Sequence, residues 1–145
     1  MDAPAVKMNM EEVAEFLARE FPQGWGPRAP NRIEAVGPGT ARVRLTAGER
    51  HLRPGGTVSG PAMMTLCDAT MYVAILANIG PVALAVTTNL SINFLRKPEP
   101  GDLIAECKLL KLGKRLAVGE VSLYAAGSEE LVAHCVATYS IPPKD

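Results

Sequence analysis

The sequence predicts an α+β domain in which an antiparallel sheet wraps one long buried helix. Two observations carry that expectation. Between Pro54 and Leu95 the single charged residue is Asp68, so this stretch belongs in a core or an interface. The hydrophobic pattern also runs in a set order: a helical segment, an alternating hairpin, a long apolar run, then four alternating stretches. The 145 residues suffice for a single domain, 1–145, with its own core. Lys+Arg and Asp+Glu both total 15, which argues against a strongly basic nucleic-acid binder. Aromatics are only 5%, too few for a base-stacking platform.

Taken in chain order, Asn9 with Glu12 three residues later forms a capping-box-like start. Val13, Phe16 and Leu17 follow at helical spacing, which predicts a helix over Asn9–Glu20. Pro22, Gly24, Gly26, Pro27 and Pro30 then predict a loop, with Trp25 in it as an apolar plug. Ile33–Val36 and Thr40–Leu45 flank Gly37-Pro38-Gly39; Ala41, Val43 and Leu45 alternate with Arg42 and Arg44, the pattern of a hairpin with one wet face. Residues 47–60 read as a Gly/Pro-rich loop.

Ser59 as N-cap, Pro61 in the first turn and Gly80-Pro81 as the stop predict a helix over Pro61–Ile79, buried on most sides. Its length approaches the ~20 residues of a bilayer span. Asp68 inside it and the alternating segments after it argue for a core helix instead, so no membrane is expected. Thr88–Leu95, Asp102–Leu112, Arg115–Ala125 and Leu131–Ile141 alternate and are separated by turn signals, which predicts an antiparallel meander. Cys67, Cys107 and Cys135 form no CxxC and sit in apolar runs, as buried free thiols do in a reducing compartment. The start MDAPAVKMNMEE lacks an apolar leader core, so a cytoplasmic protein is expected. His51 and His134 have no metal-ligand spacing, and no metal is expected.

Four stretches resemble a known family: Ser59-Gly60 ahead of Asp68; Asn89-Leu90-Ser91-Ile92-Asn93-Phe94-Leu95-Arg96; Pro100-Gly101-Asp102; and Gly113-Lys114-Arg115-Leu116-Ala117. With Leu131-Val132-Ala133-His134 at the end, they are similar to the PaaI-like acyl-CoA thioesterases of the hotdog fold. The resemblance implies a hotdog core over 32–141, preceded by an N-terminal helix and loop over 1–31. It implies metal-free hydrolysis of a fatty or aromatic acyl-CoA by a homodimer or a dimer of dimers, with CoA as part of substrate and product and no bound cofactor. Asp68 would be general base or nucleophile, the Gly60 N–H the oxyanion donor, and Thr87 a hydroxyl that positions water. The family's histidine before the helix is replaced here by Ser59, and its Asn or Gln by Arg53.

The residues support this chemistry with alternatives beside it. Apolar neighbours make a carboxylate a better base near neutral pH, whereas a hydroxyl such as Thr65 or Thr70 would make Asp68 purely structural. Gly60 lets a substrate approach a helix N-terminus, or is an ordinary helix-entry glycine. Ser59 reads more readily as a cap than as a catalytic hydroxyl, because no GxSxG surrounds it. Thr87 holds water or fills a strand position. Arg53 pairs with Asp68, binds substrate, or is solvated. Arg96, Lys97, Lys114 and Arg115 are candidates for CoA phosphates in one groove, or scattered surface charges. At 1.5 Å rise per residue, Gly60 and Asp68 lie roughly 12 Å apart on one helix, too far to serve one carbonyl. Granted the family roles, each site takes Asp68 from one chain and Gly60 from another, across paired antiparallel helices. Two rival functions remain: a non-catalytic acyl-CoA-binding module, and a dehydratase using His51 with Asp68.

Overall fold

Ser59 closes an extended approach and caps the central helix: its Oγ accepts the Ala62 N–H at 3.3 Å, and Pro61 occupies the first turn. In the computed structural model, which describes residues 6–143, this helix, α3, runs Gly60–Ile79. It ends where Gly80 takes φ 98° and its N–H closes on the Leu76 carbonyl at 2.9 Å. Met63, Leu66, Cys67, Thr70, Met71 and every residue from Val73 to Asn78 are buried. The helix is long and apolar enough to cross a membrane, with a mean hydropathy of 1.5, but 61% of that window is buried inside the domain. Its apolar surface is the core of the fold.

Six antiparallel strands wrap it: β1 Asn31–Gly37, β2 Thr40–Leu45, β3 Val86–Phe94, β4 Leu103–Leu112, β5 Leu116–Ala125 and β6 Leu131–Ser140. Their spatial order is β1-β2-β4-β5-β6-β3. Ala41, Val43 and Leu45 on β2 face α3 as the alternation predicts, and Ala133, Cys135 and Ala137 form the buried row of β6. A side chain at Gly119 of β5 would meet Met71 Sδ at 2.6 Å, so this glycine lets the helix lie close to the sheet.

The meander holds for β4–β5–β6 only. β3 does not pair with β4; it crosses to the far edge and pairs with β6. The connection carries Pro98 and Pro100, which lack N–H groups and hold an extended path unsuited to a tight hairpin. At the N-terminus, α1 (Met10–Glu20) has the expected capping box, with Asn9 Oδ1 accepting the Glu12 N–H at 2.8 Å and Glu12 Oε1 accepting the Asn9 N–H at 3.0 Å. The segment expected as pure loop contains one helical turn, α2 (Pro22–Trp25), because Pro22 pre-sets φ at its first position.

On the outer face, Glu34 accepts from Arg42 Nε at 2.8 Å and from Arg44 Nε at 2.7 Å. The two arginines reach on to Glu106 and Asp102 at 2.8 and 3.0 Å. Arg44 first, then Arg42, holds the Glu34 carboxyl below its ordinary 4.5. A carboxyl lowered by folding stabilises fully above its unfolded value, and the contribution is lost as pH falls through the folded value. Glu34→Gln is therefore expected to cost about 1 kcal/mol or less at neutral pH. In urea unfolding, that difference from wild type should shrink as pH drops below about 4.5. A difference that persists undiminished in acid would contradict the ion-pair account.

Candidate active site

Asp68 sits two turns into α3, half-buried, at one end of strand β3. Its Oδ1 accepts two hydroxyl protons, from Thr87 Oγ1 at 2.6 Å and from the Tyr139 phenol at 2.7 Å. The same phenol lies 3.0 Å from the Asp68 backbone carbonyl. Among the described residues, Oδ2 has no hydrogen-bond partner. Thr87 and Tyr139 are directly opposed across the β3–β6 pair. A bulge at Thr88 makes this possible: Leu90, Ile92 and Phe94 oppose the inward row Ala137, Cys135 and Ala133, and one extra residue brings Thr87 onto that side as well. Strict alternation would have put Thr88 there.

These groups open into a cleft of about 480 Å³ walled by Phe21, Trp25, Tyr72, Ala85 and Val86. Among the described residues, no lysine, arginine or histidine lines it. The Tyr72 ring stacks on Tyr139, with centroids 6.1 Å apart and planes 16° apart, and the Tyr72 hydroxyl donates to the Ala83 carbonyl at 2.9 Å. Burial, with the Asp68 charge adding to it, pushes the Tyr139 phenol up, so it remains a donor. Thr65 and Thr70 do not serve Asp68; their hydroxyls bond back to the Pro61 and Leu66 carbonyls one turn earlier. Trp25, expected as a surface plug, is a wall of this cleft.

Gly60 belongs to a second cleft, of about 370 Å³, lined by Arg53, Thr57, Phe94, Arg96 and Lys97. As first residue of α3, Gly60 has an N–H with no carbonyl to bond inside the helix. A Cβ there would sit in contact with the Phe94 ring at 3.4 Å. The Thr57 hydroxyl is buried and has no hydrogen-bond partner among the described residues. Arg53 is thus gathered with Gly60, Arg96 and Lys97 and lies apart from Asp68. Arg96 is also ion-paired to Glu130 at 2.7 Å. Lys114 and Arg115 do not join this groove. They line a separate cleft with Lys7 beside Ile79, the other end of α3, roughly 30 Å along the helix axis.

Ser59 is the helix cap, and it lines a fourth cleft with His51. His51 Nδ1 accepts the Gly48 N–H at 2.8 Å, and burial pushes its imidazole down toward the neutral form. It does not share a cleft with Asp68, and the dehydratase pairing is not formed within the chain. His134 faces Glu120 at 3.6 Å on the sheet. Cys67, Cys107 and Cys135 are buried free thiols. No group of metal-binding side chains occurs among the described residues.

Residues 55–132, just over half of the sequence, match the family model of the thioesterase superfamily. The chain belongs to the thioesterase superfamily. A solved structure of a candidate thioesterase from Silicibacter sp. TM1040 is 46% identical, covers 98% of this chain and 97% of its own, and superposes with a TM-score of 0.89. A candidate esterase of Saccharolobus solfataricus is 27% identical over 92% of this chain and 80% of its own length. A variant of the phenylacetic acid degradation protein PaaI from Thermus thermophilus is 23% identical, covering 77% of this chain and 93% of its own with a TM-score of 0.67. It shares the fold. The architecture is the α+β hotdog fold of this thioesterase superfamily, a six-stranded antiparallel sheet on the central helix. Within that frame, sequence reasoning missed Tyr139. Its position on the inward row of β6 was readable, but its neighbour Thr87 depends on a long-range register and a bulge.

Proposed function

We propose that the protein is a cytoplasmic, homodimeric acyl-CoA thioesterase of the PaaI type, acting on a fatty or aromatic acyl-CoA. The carrying observation is the Asp68 carboxylate: one oxygen is saturated by two hydroxyls and the other is free, in an apolar cleft without cations, in a thioesterase-superfamily chain. In this reading Oδ2 takes a proton from water as the water oxygen attacks the thioester carbonyl carbon. The carbonyl oxygen gathers charge and is held by the Gly60 N–H at the head of a helix. The C–S bond then breaks, and the thiolate leaves and takes up the proton.

Gly60 and Asp68 open into different clefts, so the reading requires two chains. The free edge of β3 supplies a way to join them. Among the described residues its far side pairs with no strand; Val86 at its start is 54% exposed, Leu95 just past its end 55% and Leu84 just before it 75%. Thr87 and Asp68 lie at the start of β3, while Phe94 and Gly60 lie at its end. Antiparallel pairing of two β3 edges brings the start of one against the end of the other. Each Asp68 then meets the partner's Gly60 cleft, where Arg53, Arg96 and Lys97 would take CoA phosphates. Lys114 and Arg115 would act from their separate cleft, or across a dimer of dimers. Thr87 holds Asp68, and Ser59 serves as the cap at the mouth of the oxyanion site.

One specific feature favours a second reading. Ser59 and Arg53 stand where the resembling family has a histidine and an amide side chain, which would suit a module that binds acyl-CoA without cleaving it. A panel of straight-chain and aromatic acyl-CoA thioesters, followed by thiol release, separates the two. Steady turnover of at least one member is the expected result; measurable binding with no thiol release from any would overturn the hydrolase reading.

A further inference from the structure

We infer that Tyr139 is a positioning residue for the Asp68 carboxylate, a role that deepens the thioesterase reading at the same site. Three contacts fix the ring. Its hydroxyl reaches Asp68 Oδ1 at 2.7 Å and the Asp68 backbone carbonyl at 3.0 Å, so it is registered on the helix at the residue it serves. Its face is stacked by Tyr72, itself tied to the Ala83 carbonyl. The residue is 4% exposed and therefore has little freedom to swing away.

The arrangement has a consequence for which oxygen reacts. Thr87 and Tyr139 converge on Oδ1, and two strong donors there leave it a poor proton acceptor. Oδ2 is left as the oxygen that meets water. The pair of hydroxyls also replaces a counter-cation. Among the described residues, the titratable groups around Asp68 are Tyr139 and Cys135 of β6 and Cys67 and Tyr72 of α3, none of which supplies positive charge. Hydroxyl donors favour the ionised carboxylate and, unlike an arginine in contact, leave its net charge in place.

The test follows the Asp68 carboxyl by ¹³C NMR across pH in the full-length protein, alongside kcat and KM against pH. Tyr139→Phe keeps the ring and its stacking and removes one donor. Relative to wild type the midpoint of the Asp68 titration is expected to move up, because one donor to the ionised form is lost. kcat should fall by about tenfold with KM within about twofold, as for an interaction realised in the transition state. Site-specific 2,3-difluorotyrosine at position 139 makes a stronger donor of the same shape, and should move the midpoint the opposite way. It also serves as the test should Tyr139→Phe fail to fold. An unmoved midpoint in either variant overturns the role, as does an activity loss that tracks only a lower Tm. Absence of turnover in the wild-type protein would remove the thioesterase reading, while the titration would still decide whether Tyr139 holds Asp68.

Discussion

Asp68→Asn is expected to lower kcat for acyl-CoA hydrolysis by about 10²- to 10⁴-fold, the range for loss of a general base. The substitution isolates charge from shape. An asparagine carbonyl oxygen can still accept from Thr87 and Tyr139, so the local fold and the Tm should remain close to wild type. The amide cannot take a proton from water. Because Oδ2 is unpartnered, no internal hydrogen bond is lost on that side. KM should change little, since the cationic residues assigned to CoA lie in the Gly60 cleft. A variant that retains more than about a tenth of wild-type kcat would remove Asp68 from the role of base.

Asn78→Ala is expected to give the largest loss of stability, about 2–3 kcal/mol. Asn78 is 1% exposed at the last turn of α3. Its Oδ1 accepts the Gly39 N–H at 3.0 Å, and its Nδ2 donates to the Ala74 carbonyl at 2.8 Å and the Gly37 carbonyl at 3.4 Å. One amide thus ties the β1–β2 turn to the central helix, while the Gly39 carbonyl accepts Leu109 N–H from β4 at 2.8 Å. Truncation strands the buried Gly39 N–H, so the full desolvation cost appears. Calorimetry should show a Tm lower by roughly 5–10 °C. A shift under about 2 °C would mean that water or the turn itself replaces these bonds.

Local chemistry was readable in this sequence wherever one element decides it. The Ser59 cap, the Gly80 stop, the Asn9–Glu12 box and the inward row of β2 follow from residue type and period. Asp68 stood out because a carboxylate in an apolar helix needs partners. The partners themselves were hidden. Thr65 and Thr70 were the nearest hydroxyls in sequence, yet helix geometry turns them back on their own backbone. Thr87 and Tyr139 meet only once β3 has crossed to β6 in a bulged register, and no local pattern encodes that choice of edge. Trp25 reached the cleft because one turn of helix after Pro22 turns a loop into a wall. The cations divided between two clefts because the β4–β5 turn lies at the opposite end of α3 from the end of β3.

The central claim is that one active site is built from two chains, Asp68 from one and the Gly60 N–H from the other. A heterodimer tests it directly. Gly60→Pro removes the N–H at a first helical position that tolerates proline, and Asp68→Asn removes the base. Each homodimer variant should be nearly inactive. A purified heterodimer, one chain carrying each substitution, contains one site with both defects and one with neither. It should therefore recover about half of the wild-type kcat per dimer. A heterodimer no more active than its parents would place both groups in the same chain's site and contradict the account.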